Sequence, residues 1–194
     1  MQRRDFLKTS GALGMGGALA AGPSIVRAAE NGSAKAGGTV QADVVVAGGG
    51  MSGVCAAIAA ARAGASVVLV QDRPVLGGNS SSEVRMHICG ANSTGIPDSR
   101  ETGILEELRL ENQVRNPQRS AAMWDLILWE KAFYQPGLAL LLNTVLTGCR
   151  MSGDRIVSIE CYDMRREEKL VIEGSQFVDC TGDGTLGVLA GNPF

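Results

Sequence analysis

The chain has 194 residues, 45% of them apolar and only 4% aromatic, with 26 glycines and 18 basic against 20 acidic side chains. This is length for one moderate domain with a real core, and a net charge of −2 gives no basis for a nucleic-acid partner. The cysteines at 55, 89, 149, 161 and 180 form no CxxC pair, which argues against a local metal or iron–sulfur site, and the single histidine, His87, limits any histidine chemistry to that position.

At the N-terminus, Arg3-Arg4-Asp5-Phe6-Leu7-Lys8 resembles the twin-arginine export signal, whose pattern is RRxFLK. The glycine-rich segment Gly11 to Ala21 behind it is only mildly apolar and too short to span a bilayer as a mature helix. Val26-Arg27-Ala28 offers a small-residue cleavage site. Residues 1–28 therefore read as a signal peptide, exporting the protein to a periplasmic or other extracytoplasmic compartment, with membrane contact only through the export machinery. Residues 29–41, rich in Gly, Ala and Ser, read as a flexible linker.

The stretch from Asp43 to Asp72 organises the remainder of the chain. Val44, Val45 and Val46 suit a strand buried on both faces. Gly48, Gly50 and Gly53 then give GxGxxG at the start of an Ala-rich helix predicted from Met51 to Ala63. Gly64 closes that helix, and Ser66 to Val70 reads as a second strand. Gly48 permits a sharp strand-to-helix turn, Gly50 leaves room for a pyrophosphate, and Gly53 lets the helix pack closely on the sheet. The helix N-terminus, at Met51, Ser52 and Gly53, offers free amides and a positive dipole end to phosphate groups. Strand, motif, small-residue helix and second strand in this order indicate a dinucleotide site. An acidic residue is expected after the second strand to hold a ribose. That place falls to Gln71, with Asp72 beside it, and the sequence leaves the choice between them open.

Downstream, Gly77, Gly78, Asn79 and Ser80 form a loop of unhindered backbone and small polar groups. Two helices are expected next, one capped by Ser99 and running to about Leu110, and one from Pro117 to about Tyr134 with Asn116 as its N-cap. Leu138–Leu142 reads as a buried strand, and Val145–Met151, Arg155–Tyr162 and Leu170–Glu173 as an antiparallel meander turning at Ser152-Gly153-Asp154. A last apolar strand, Phe177-Val178-Asp179, runs into the turn Cys180-Thr181-Gly182-Asp183-Gly184.

From the glycine fingerprint through Ser82, and again at Thr181-Gly182-Asp183-Gly184, the sequence resembles the FAD-dependent oxidoreductases, flavoproteins with two dinucleotide-binding domains, near the branch of heterodisulfide reductase flavoprotein subunits. The resemblance implies an α/β fold: a Rossmann-like FAD/NAD(P)-binding three-layer ββα domain over residues 42–194, with parallel sheet, helices and an antiparallel β-meander. It implies FAD held by Gly48, Gly50, Met51, Ser52, Gly53, Gln71 or Asp72, Gly77, Gly78, Asn79, Ser80, Thr181, Gly182 and Asp183. Arg85 and His87, just beyond the second glycine loop, are candidates for orienting a substrate or moving a proton. It also implies a further substrate domain, so residues 42–194 are expected to be the N-terminal part of a longer enzyme. Relatives with iron–sulfur clusters use cysteine-rich segments that this sequence does not contain. The implied activity is flavin-mediated redox chemistry on a small-molecule substrate with a separate electron acceptor. A non-catalytic flavin-binding fragment and an NAD-dependent enzyme are the alternatives.

Overall fold

Valine-rich segments that alternate in which face they bury, separated by glycine turns, can be satisfied by a sheet covered on both sides. The computed structural model describes residues 38–89, 91 and 99–192, and it has this form. Six strands make one sheet: β1 (Thr39–Ala47), β2 (Val67–Val70), β3 (Leu138–Leu141), β4 (Thr144–Ser152), β5 (Arg155–Asp163) and β6 (Glu168–Asp179), in the order β3-β2-β1-β6-β5-β4. Strands β3, β2, β1 and β6 run parallel, while β4, β5 and β6 run antiparallel. The helices are α1 (Met51–Arg62), α2 (Gly103–Arg115), α3 (Ala121–Phe133) and the short α4 (Thr185–Leu189).

Both faces of β2 and of the carboxyl end of β1 are buried. On one face Val46 and Leu69 pack with Val54 and Ile58 of α1, Leu108 of α2, and Ile127 and Leu128 of α3. On the other, Val45, Val68, Val70 and Leu141 meet Ile159 and Cys161 of β5 and Ile172 of β6. The antiparallel half of the sheet thus folds across the parallel half and forms the third layer, as the resemblance implies. Burial pushes the Cys161 thiol up to about 12, so this cysteine is a packing group rather than a reactive one.

Four expectations need correcting. Strand β1 begins at Thr39, within the stretch read as linker, because Thr39–Ala42 pair with Val171–Gly174. The first downstream helix starts at Gly103 behind Thr102 rather than at a Ser99 cap, and it continues to Arg115, past the predicted end at Leu110. Asn116 ends that helix instead of starting the next. Its side chain donates to Asn112 Oδ1 and the Ser120 carbonyl and accepts from the Ser120 amide, which ties the turn shut. The cap of α3 is Ser120, whose hydroxyl accepts from the Met123 amide. Finally, the predicted strands at Leu170–Glu173 and Phe177–Asp179 are one continuous strand, β6. Gly174 lies inside it not as a break but because a Cβ there would sit 2.7 Å from a methyl carbon of Val45. The twin-arginine segment lies outside the described residues.

Candidate functional site

The carboxyl ends of parallel strands, where a sheet's order reverses, are where an open α/β fold leaves a crevice. Here the ends of β1, β2 and β6 and the start of β4 surround a cavity of about 970 Å³. Its walls bring together Gly48, Gly50, Met51, Ser52, Gln71, Asp72, Gly77, Gly78, Asn79, Ser80, Thr181, Gly182 and Asp183, which are widely separated in the chain. Of the predicted cofactor residues only Gly53 is absent from the lining.

The three motif glycines are required for different reasons. Gly48 has φ +100 and its amide donates to the Val70 carbonyl at 2.8 Å. A Cβ there would collide with the Cys180 carbonyl, where β6 leaves the sheet. At Gly53 a Cβ would collide with the carbonyl oxygen of Gly48, so this glycine keeps α1 against the turn. A Cβ on Gly50 would meet no protein atom within 4 Å. Nothing in the protein needs Gly50 to be bare, and the space its missing side chain leaves belongs to the cavity.

A second glycine turn docks on the first. The Gly77 amide donates to the Gly49 carbonyl at 2.9 Å, and a Cβ on Gly78 would lie 3.3 Å from the Gly50 Cα. Gly77 and Gly78 have φ of +103 and +56, a region that favours glycine. Helix α3 clamps this loop from beneath. Trp124 Nε1 donates to Ser80 Oγ at 3.2 Å, Ser80 Oγ donates to the Gly77 carbonyl at 2.9 Å, and the Ser82 amide donates to Asp125 Oδ1 at 2.9 Å. The Ser80 hydroxyl is therefore occupied within the protein, so its contribution to the cavity is mainly shape. Trp124 and Asp125 were not among the residues the sequence pointed to, since their link to the loop is purely tertiary.

The third wall is the turn after β6. The Cys180 amide donates to the Ala47 carbonyl at 2.7 Å, which fixes the turn against the end of β1. Asp179 holds its shape: Oδ1 accepts from the Thr181 amide at 3.0 Å and hydroxyl at 2.7 Å, and Oδ2 accepts from the Gly187 amide at 2.9 Å. Thr181 Oγ1 accepts from the Thr185 amide at 2.8 Å. Burial alone would raise the Asp179 pKa, but the bonds from Thr181, Gly187 and Leu186 outweigh it and hold the carboxyl below its ordinary value. The Thr181 hydroxyl is thus also committed. The organising role of Asp179 is not readable locally, because in sequence it looks like an ordinary turn acid.

Gln71 and Asp72 differ sharply. Gln71 is 6% exposed, and its side-chain oxygen accepts from the Gly49 amide at 2.7 Å while Nε2 donates to the Val75 carbonyl at 3.2 Å. Asp72 borders the same cavity with its carboxylate exposed, and its nearest cation among the described residues is Arg73, with Nε 3.8 Å away. The two catalytic candidates also separate. His87 borders the cavity, and Nε2 lies 3.4 Å from the exposed Cys89 thiol. Arg85 has φ +62, turns its Nε to the Ser82 carbonyl at 3.1 Å, and does not reach the lining. Among the described residues no three His, Cys, Asp or Glu side chains form a group that could hold a metal ion.

This arrangement can be set beside known proteins. Residues 1–20 match the model of the twin-arginine translocation pathway signal sequence. The chain is 40% identical over 97 residues to digoxin reductase of Eggerthella lenta, covering 42% of this chain and 17% of that protein. It is 38% identical over 84 residues to the NADH:fumarate oxidoreductase of Klebsiella pneumoniae, covering 39% of this chain and 9% of that one. The chain thus spans less than a fifth of the length of either curated relative. In structure it resembles a geranylgeranyl bacteriochlorophyll reductase-like protein of Thermoplasma acidophilum, with a TM-score of 0.51 and 15% identity over 79% of this chain and 43% of that one, a likeness of fold. The family model for FAD dependent oxidoreductases matches residues 43–194, the same stretch that builds the three walls of the cavity, and this chain belongs to that family.

Proposed function

We propose that the cavity between the two glycine turns and the turn after β6 holds the adenine, ribose and pyrophosphate end of FAD, and that the exported protein carries out flavin-dependent redox chemistry on a small organic substrate. The observation that carries this reading is the bare space at Gly50, which the protein's own packing does not require. Met51 and Ser52 in the first turn of α1 also line the cavity, and first-turn amides, for which a helix has no acceptors of its own, would meet a pyrophosphate with the positive end of the helix dipole. Gly77 and Gly78 would let the dinucleotide lie close against the second turn. When bound, FAD supplies the electron transfer, and this chain supplies binding and orientation. Of the two catalytic candidates, His87 borders the cavity and Arg85 serves its own loop, which favours His87 for orienting a substrate or moving a proton. Both curated relatives are named for small organic molecules, fumarate and digoxin, which supports that substrate class. The export signal supports delivery to the extracytoplasmic side, where the electron acceptor would be met.

Gly50→Val tests the reading. The variant is expected to fold like the parent, with the same far-ultraviolet circular dichroism, but to purify colourless. A flavin-to-protein ratio equal to the parent's would move the flavin site elsewhere.

A further inference from the structure

Resting on that reading of the cavity, we infer that Asp72, and not Gln71, reads the adenosine ribose of the dinucleotide, and that Gln71 is a positioning residue that locks the glycine turn. At the end of β2 both side chains border the cavity, so their bonding decides between them. All four polar groups of Gln71 have partners inside the protein. Its amide donates to the Leu141 carbonyl at 2.8 Å and its carbonyl accepts from the Thr144 amide at 2.9 Å. Its side-chain oxygen accepts from the Gly49 amide at 2.7 Å, and its side-chain nitrogen donates to the Val75 carbonyl at 3.2 Å. Only this orientation of the amide satisfies both partners, since an N–H must face the carbonyl and an oxygen must face the amide. The side chain is thus drawn back beneath the turn it supports.

A carboxylate at position 71 could accept from Gly49 but would present a second acceptor to the Val75 carbonyl. Glutamine therefore suits a clamp at this position better than the acid usual for a ribose partner. The acid is displaced by one residue. Asp72 accepts no hydrogen bond from any described side chain or amide, and its exposed carboxylate lies at the cavity edge with Arg73 the nearest described cation, at 3.8 Å. Arg73 is in turn drawn towards Glu83, 3.6 Å away. A carboxylate with open lone pairs can accept from both hydroxyls of a ribose, and charge-assisted bonds of this kind are the strong ones.

The test is a cycle between protein and ligand. The purified chain, freed of flavin, is titrated by calorimetry with ADP and with 2′,3′-dideoxy-ADP, which lacks both ribose hydroxyls. The parent is expected to bind ADP about tenfold more tightly than the dideoxy compound, the size of effect that a hydrogen bond to a charged group carries. Asp72→Ala should bind the two equally, and Asp72→Asn should show an intermediate preference. Gln71→Leu should lower the thermal midpoint of the flavin-free chain and weaken both ligands alike, leaving their ratio unchanged. An Asp72→Ala variant that keeps the parent's preference for ADP overturns the inference, as does a Gln71→Leu variant that folds and loses it. A parent that binds FAD tightly but shows no preference between the two nucleotides overturns it too, while leaving the flavin site intact. A parent that binds neither FAD nor ADP removes the flavin reading itself.

Discussion

A methyl group at Gly53 would run into the carbonyl oxygen of Gly48, whereas at Gly50 it would meet no protein atom within 4 Å. The two positions should respond oppositely to substitution. Gly53→Ala forces a backbone shift, since a carbonyl in a tight turn cannot rotate away, and should cost about 3 kcal/mol. In a domain of this size that is a loss of roughly 10 °C in thermal midpoint, measurable by differential scanning fluorimetry, where an unchanged midpoint would contradict the packing described. The spacing GxGxxG reveals that all three glycines matter, and the turn at Gly48 and the open space at Gly50 are both legible in it. The obstacles at Gly48 and Gly53 are not. One is a carbonyl at the end of a strand roughly 130 residues further along the chain, and the other lies within the motif itself. Ser80 and Thr181 read as ligand contacts from their chemistry, but their hydroxyls are engaged by Trp124 and Asp179, and no local pattern announces such pairings.

Among the elements, the three long helices share a ladder of ion pairs. Arg62 on α1 meets Glu107 on α2 at 2.8 Å. Lys131 on α3 meets Glu107 at 3.0 Å and Glu111 at 2.6 Å, and Arg115 joins Glu111 to Glu130. The hydrogen bonds from Arg62, helped by Lys131, lower the Glu107 pKa from an ordinary 4.5 to about 2, against a burial effect that would raise it. A carboxyl depressed on folding adds stability that is complete above its unfolded value and disappears as pH falls through the folded one. Glu107→Gln should therefore destabilise the fold at pH 7, by about 1 kcal/mol or less because the side chain is more than a third exposed and screened by solvent. The gap between variant and parent should narrow from about pH 4.5 downwards and close near pH 2. Thermal unfolding at a series of pH values checks this, and a gap that widens in acid would refute it. Helix and strand types are legible throughout, because apolar periodicity is a property of each segment alone. Ends are harder to read. Asn116 and Pro117 look like a helix start, yet the asparagine bridges backward to Asn112 and forward to Ser120. Its role as a stop depends on both neighbours at once.

At the scale of the whole molecule, an export signal at residues 1–20 precedes a flavoprotein fold that begins at Thr39. Changing Arg3 and Arg4 together to Lys should leave the protein in the cytoplasm with its signal uncleaved, read by fractionation and immunoblotting, and unaltered export of the double variant would refute the twin-arginine assignment. The RRxFLK motif marks the export signal, but apolar patterning does not show β6 as one strand, because its two halves join only once both neighbours are in place. That strand also sets an order of events during synthesis. Thr39 pairs with Val171 and Ala47 with Asp179, so β1 waits for a partner made roughly 130 residues later, behind three helices and four strands. Contacts this distant in sequence form slowly, since the closure entropy comes before any gain from pairing. The turn that closes the cavity follows that same strand. On the proposed reading of the cavity, a nascent chain exposes only part of the dinucleotide site until Asp179 and the turn behind it have left the ribosome, and loading of the cofactor is expected to follow that moment.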